Sequence, residues 1–240
     1  MTPSFTENDT YSSNKTFSYI LMAAFGGIAL CAAFYIVISF LIIFAPDMTV
    51  RLDNGLSIHF GYLLIGTAST IESLLRLLAI IIFLIWEYRA FKNLPALKSN
   101  YTEFSPGWAV GWWFIPLANL IKPFQAVREL WNESDPEFDE ESQFLHVAGG
   151  TPKIVGFWWA AFLLSGILGR LAGMLIDPRT GMPSKDLPLV LIIGSFFELA
   201  AALLILFIVK GITQKQDQRY DKIAATQPFS PPPPDFYQNR

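Results

Sequence analysis

Four ionisable side chains sit inside otherwise apolar runs: Glu72 and Arg76 in Leu64–Trp86, Arg170 in Ile154–Ile176, and Glu198 in Leu189–Val209. A charged group in hydrocarbon costs about 2.5–3.5 kcal/mol on insertion scales, so such groups pair with one another or face an internal cavity. Counted at about 1.5 Å per helical residue from the more charged end of each run, Arg76 lies ~15 Å and Glu198 ~18 Å deep, Glu72 ~21 Å and Arg170 ~24 Å. Matched depths predict two pairs, Arg76 with Glu198 and Glu72 with Arg170. The i,i+4 spacing also lets Glu72 meet Arg76 on one helix. Two chemistries follow. Pairs that only balance charge fix the order of helices, whereas a polar cavity around them binds a solute or relays protons.

Other reactive constellations are sparse. Ser165, Gly169 and Gly173 recur at four-residue spacing, the small-xxx-small pattern that lets helices approach closely. They are expected to pack against a helix of this chain or of another copy. His59 and His146 fall in loops that the topology below puts on opposite faces, so they cannot share a metal. No HExxH, GxSxG or phosphate-loop pattern occurs. Asp135, Glu137, Asp139, Glu140 and Glu141 read as a solvated acidic linker. The single cysteine, Cys31, rules out an intrachain disulfide. No enzymatic activity, cofactor or metal is expected. A net charge of −3 without a basic block removes a nucleic-acid partner as well.

The elements that must hold these residues are helices in a bilayer. The chain is 52% hydrophobic and 15% charged, with a mean hydropathy of +0.40, outside ordinary soluble usage. Residues 1–16 are polar and read as a flexible tail, and 17–63 hold a first span and an external loop. Residues 64–219 form the core, with spans at about 64–86, 154–176 and 189–209 and a central segment at 105–131. Residues 220–240 contain four consecutive prolines and read as a disordered, polyproline-forming tail. Trp86 is expected at an aromatic belt where the second span leaves the bilayer.

The central segment, "SPGWAVGWWFIPLANLIKPFQAVRELW", decides the topology. If it crosses, lysines and arginines divide almost evenly between the two faces. If it returns, twelve lie on one face and three on the other, the asymmetry of a cytoplasmic side. Only about 22 Å of helix fits between Gly107 and Lys122, and Pro116 deletes a backbone bond midway. An interfacial or re-entrant segment results, with Trp108, Trp112, Trp113, Pro116, Asn119, Pro123 and Trp131 as its key residues. Trp112 and Trp113 are expected at headgroup depth.

Trp86, Arg89, Asn93, Ser105–Trp108, Gly111–Trp113, Pro116, Asn119, Pro123, Trp131, Trp158–Trp159 and Thr213–Gln216 also carry a resemblance. Over roughly residues 67–219 the chain resembles the bacterial membrane family called domain of unknown function 4328, whose name assigns no activity. The fold expected is an all-α integral membrane protein, a four-span bundle in the cell (inner) membrane with both termini cytoplasmic. Its expected role is that of a non-enzymatic scaffold or regulatory protein. The lipid bilayer surrounds it, and a protein partner at the cytoplasmic face or the Pro-rich tail, or a second copy, completes it. The alternative is a small-solute or proton transporter using Glu72, Arg76, Arg170 and Glu198.

Overall fold

A computed structural model of the chain describes residues 10–51, 53, 55, 57–99, 102–137 and 152–226. Among these, four helices are long and apolar enough to cross a membrane: α1 (Lys15–Phe44), α2 (Phe60–Lys92), α5 (Lys153–Met174) and α6 (Leu187–Thr226). Two short helices, α3 (Pro106–Gly111) and α4 (Lys122–Glu133), belong to the central segment. The one β element is a hairpin of β1 (Thr49–Arg51) and β2 (Ser57–His59), antiparallel, with Gly55 at φ 82° in its turn.

His59 joins that hairpin to the bundle. Its Nδ1 accepts the N–H of Gly61 at 2.9 Å, capping α2, while Nε2 donates to the Ala45 carbonyl at 2.9 Å. One neutral tautomer satisfies both bonds. Gly61 must be small here, because an added Cβ would come within 2.7 Å of the Ile42 side chain. α1 can therefore turn back tightly into α2.

α1 packs against both α2 and α6, and α5 packs against α6, but α2 and α5 do not pack on each other. The bundle is thus an arc, α2–α1–α6–α5, with a gap between its two ends. The central segment closes one end of that gap. It descends through α3, whose N-cap is Ser105 followed by Pro106 at the first turn, and turns through two 3₁₀ stretches, Trp112–Phe114 and Ala118–Leu120. It returns as α4, with Pro123 buried in the first turn.

The return is fixed at its base. Ser99 donates to the Glu133 carboxylate, and Glu129 accepts the N–H groups of Glu103 and Phe104. Burial lifts the Glu129 carboxyl to about 7 against the pull of those two donors. Entry and exit therefore lie at the same end of the bundle, and the segment is a hairpin, not a fifth crossing. Its tip is apolar and open, with Phe114 70% and Leu117 83% exposed.

A buried polar network locks that same end. The Trp86 indole donates to Thr213 Oγ1 at 3.1 Å, and Asn93 Nδ2 donates to Gln216 Oε1 at 3.3 Å. Gln216 Nε2 donates in turn to the Ala90 carbonyl at 2.9 Å and to Ser134 Oγ at 3.2 Å. Arg219 donates to the Glu133 carbonyl. Gly211 lets the Trp131 ring lie flat on α6, since a Cβ there would meet the indole at 2.8 Å, and Lys215 Nζ sits 4.6 Å from that ring's centroid. Trp86 is fully buried and so is not part of an interfacial belt.

Both chain ends depart from their sequence expectations. Ser12 and Asn14 are tied into the polar network through Asn93 and Arg89, and Tyr11 stacks on Tyr220 and donates to Asp217 at 2.7 Å, so the ordered chain starts before residue 16. α6 continues through residues 210–226, where Lys, Gln and Arg favour helix, so helix replaces the expected tail up to Thr226. Its 40 residues span about 60 Å, twice a hydrocarbon core. Residues 1–9, His146, the acidic linker beyond Glu137 and the Pro-rich segment from 227 lie outside the described residues.

The returning hairpin makes a topological prediction. A reporter fused after Arg240 and one inserted at Asp139 report the same side of the membrane in an accessibility assay. Opposite sides would mean that residues 107–122 cross.

Candidate functional site

α2 and α6 bring Glu72, Arg76 and Glu198 together at membrane depth. Arg76 spans one helical turn to Glu72 through Nε, and its Nη2 reaches Glu198 across the helix interface. Both pairings expected for Arg76 are present, made simultaneously by one guanidinium. The fork geometry of arginine permits this, because two edges of the planar group can each face a carboxylate. The acids are enclosed, with side chains 8% and 13% exposed, while the Arg76 side chain is 50% exposed toward the gap.

The expected Glu72–Arg170 pair does not form. Among the described residues no carboxylate lies within salt-bridge distance of Arg170, which is exposed on α5. The reason is position. Arg170 lies four residues from the end of α5 at Met174, close enough for its long side chain to reach the headgroup region without a buried partner. The cluster consequently holds two carboxylates and one guanidinium, a formal charge of −1 where a neutral set of four was expected.

Two cavities meet at this cluster, and Arg76, Ser165 and Glu198 line both. The larger, of about 350 Å³, runs toward the central hairpin between walls of Phe83, Trp113, Trp158, Phe162 and Ile205. The smaller, of about 230 Å³, runs toward the opposite end past Tyr35, Ser69, Glu72, Gly169 and Ser195. Tyr35 stands beside Glu72.

Of the small-residue stripe, Ser165 and Gly169 line this space, and neither Gly169 nor Gly173 is packed tightly against a helix of this chain. A Cβ added at Gly169 or Gly173 would meet nothing within 4 Å, and Ser165 donates back to the Phe162 carbonyl at 2.9 Å. The close approach of α5 to α6 occurs at Gly194, where a Cβ would lie 3.3 Å from Leu168. Helix spacing on α5 identified a small face correctly but not what it faces.

The hairpin roofs the larger cavity through Trp113. A 3₁₀ turn has three residues per turn, so Trp112, Trp113 and Phe114 point in three directions. Trp112 stays at the surface, 5.0 Å from the Trp108 ring and within reach of Lys122. Trp113 turns inward against Phe83, Trp159 and Phe162, and its Nε1 donates to Glu87 Oε2 at 2.8 Å. Both indoles are half-buried, but only Trp113 lines the cavity. Trp159 pins the other limb, donating to the Leu120 carbonyl at 3.1 Å. Beyond the tip, Asn119 borders the cavity, and its Oδ1 has no partner among the described residues.

Glu87, fully buried beneath Trp113, was not a candidate in the sequence. It stands beside Tyr88 and Arg89 at a helix end, where a carboxylate ordinarily reads as solvated. The available signal was its face: Glu87 follows Phe83 by four residues and precedes Phe91 by four, both buried.

An arc of four membrane-length helices with a returning hairpin defines the class, a multi-pass α-helical membrane protein. The family model described as "Domain of unknown function (DUF4328)" matches residues 56–214, more than half of the chain, and the chain belongs to that family. The matched region excludes α1 and includes every residue of the charged cluster and of the hairpin. No curated protein and no solved structure matches the chain.

The cluster's geometry ranks its mutants. Arg76→Met leaves two carboxylates facing each other without a cation, whereas Glu198→Gln leaves Arg76 still paired with Glu72. Arg76→Met is therefore the more destabilising, by up to about 3–5 kcal/mol if the site were dry and less as water reaches it. The triple change Glu72→Leu, Arg76→Met, Glu198→Leu recovers most of the loss in detergent-unfolding titrations followed by tryptophan fluorescence. Equal instability of Arg76→Met and the triple variant would show that uncompensated charge is not the cause.

Proposed function

We propose that the chain is a non-enzymatic membrane protein that takes a small solute or a proton into the gap between α2 and α5 and passes it along the Glu72–Arg76–Glu198 cluster. The observation that supports this is the shared lining. The same arginine, serine and glutamate border a cavity on either side of the cluster, so the charges form a constriction between two chambers. Charges serving only to tie helices together would be closed over by packing, yet Arg76 faces open space. In this reading the hairpin is the cover of one chamber, with Glu87 and Trp113 as its catch, and both termini lie on the cytoplasmic side of a cell membrane.

A scaffold working through the terminus-bearing end is the second reading. The observation favouring it is the length of α6, which carries a polar helical stalk well past the membrane-length part of the bundle. Crosslinking from native membranes tests that reading directly.

The transport reading is tested in proteoliposomes with a panel of a proton indicator, a sugar, an amino acid and an organic cation. At least one member is expected to move ten-fold faster with the wild-type protein than with Glu72→Gln, Glu198→Gln. Equal rates across the whole panel would leave the scaffold reading.

A further inference from the structure

The larger cavity has walls and a floor of different chemistry, and together they specify a ligand. Its walls are aromatic: Phe25, Phe83, Trp113, Trp158 and Phe162 line one chamber of about 350 Å³, within the range of small-molecule sites. Phe83, Trp113, Phe162 and Trp158 follow one another edge to face or stacked, at centroid distances of 5.6–6.2 Å, so this wall is a continuous aromatic surface. Ring faces carry negative potential and attract cations lacking a tight hydration shell.

The floor is formed by Arg76 and Glu198, with Glu72 behind them. Of the cluster, only Arg76 and Glu198 line the chamber itself, but with Glu72 behind them and Arg170 absent the cluster as a whole has a formal charge of −1. Arg76 faces the chamber but is shared between two carboxylates, which leaves it poorly placed to hold an anion. The polarity of the site thus runs against the first impression given by an exposed arginine. Neutral apolar molecules would leave the excess carboxylate uncompensated, and small hydrated metal cations would waste the aromatic walls.

We propose that the chamber between α2 and α5 binds a hydrophobic organic cation, its charge set against the Glu72–Arg76–Glu198 floor and its apolar body against Trp113, Trp158 and Phe162. This rests on the reading of the gap as a solute path and adds to it the class of solute. The hairpin carries Trp113, so a bound cation contacts the cover and the floor at once. Occupancy is thereby coupled to the position of the Trp113–Glu87 catch.

The test compares two ions of nearly the same size and shape but opposite charge, tetraphenylphosphonium and tetraphenylborate. Equilibrium dialysis is run against the purified full chain in lipid nanodiscs, with empty nanodiscs correcting for partition into lipid. Saturable binding of the phosphonium at least ten-fold tighter than that of the borate is expected. Glu198→Gln should weaken it at least ten-fold, Glu198→Asp should retain it, and Phe162→Leu, at a cavity-lining ring that is 39% exposed, should weaken it with little change in the unfolding midpoint. Borate binding equal to or tighter than phosphonium, or undiminished phosphonium binding by a folded Glu198→Gln variant, overturns the proposal. Absence of saturable binding by either ion overturns it too. None of these results touches the flux panel, which judges separately whether the gap is a path for any solute. Conversely, phosphonium binding with the expected charge dependence but no flux would leave the site assigned and the transport reading wrong.

Discussion

The tie that Arg76 makes between Glu72 and Glu198 is the constraint on which the middle of the molecule depends. α2 leans on α1 and on the hairpin, but it meets α6 through side chains that reach across, and at membrane depth the Arg76–Glu198 pair is that reach. A buried ion pair is weak evidence of net stability, because desolvating both partners offsets much of their attraction. Its effect is on arrangement. With α2 and α6 both seated on α1 and tied by a long arginine at membrane depth, the arc stays open opposite α1, and the space between α2 and α5 forms two chambers. The end bearing the termini uses neutral hydrogen bonds for the same task, Trp86 to Thr213 and Asn93 to Gln216. The bundle thus has a hydrogen-bonded end and, deeper down, a charged cluster bordered by two cavities.

The hairpin fits into this division. Its proline-broken backbone cannot cross a bilayer alone, since groups freed by Pro116 need partners. The turn itself supplies some of them, the Trp112 carbonyl accepting the Ile115 N–H and the Ile115 carbonyl the Asn119 N–H. The hairpin is then pinned at the mouth of the gap by Trp113 donating to Glu87 and Trp159 donating to the Leu120 carbonyl. What looks in sequence like a defective span is a lid shaped to a cleft. The exposed apolar tip at Phe114 and Leu117 points outward, where lipid is its natural surrounding.

Much of this was legible beforehand, for physical reasons that also mark where legibility ended. Span number followed from apolar length, and the return of the central segment followed from its short reach and the distribution of lysine and arginine. The Arg76–Glu198 contact followed from depth alone, because helices of known rise place residues along the membrane normal. Depth says nothing of azimuth. Depth paired Arg170 with Glu72, yet its exposed side chain, four residues from the end of α5, meets no carboxylate among the described residues, and Gly169 and Gly173, spaced like a packing face, border open space. Trp112 and Trp113 were treated alike because adjacent residues share a depth, whereas a 3₁₀ turn separates their directions. Glu87 shares a helix face with the buried Phe83 and Phe91, but a carboxylate at a helix end reads as solvated, and its cover by Trp113 is a tertiary contact that spacing within α2 does not reveal.

A solute path between α2 and α5 requires a polar-floored groove reached from water, not a seam filled by lipid. Cysteine accessibility in native membranes tests it most directly. In a Cys31→Ser background, Ser165→Cys places a thiol where both cavities meet, and Ile167→Cys places one on the open face of α5, where Ile167 is 61% exposed and off the cavity lining. The account predicts that a membrane-impermeant, cationic methanethiosulfonate modifies the thiol at 165 at least ten-fold faster than the thiol at 167. Equal, negligible labelling at both positions would mean that lipid or a packed helix occupies the gap, and would contradict it.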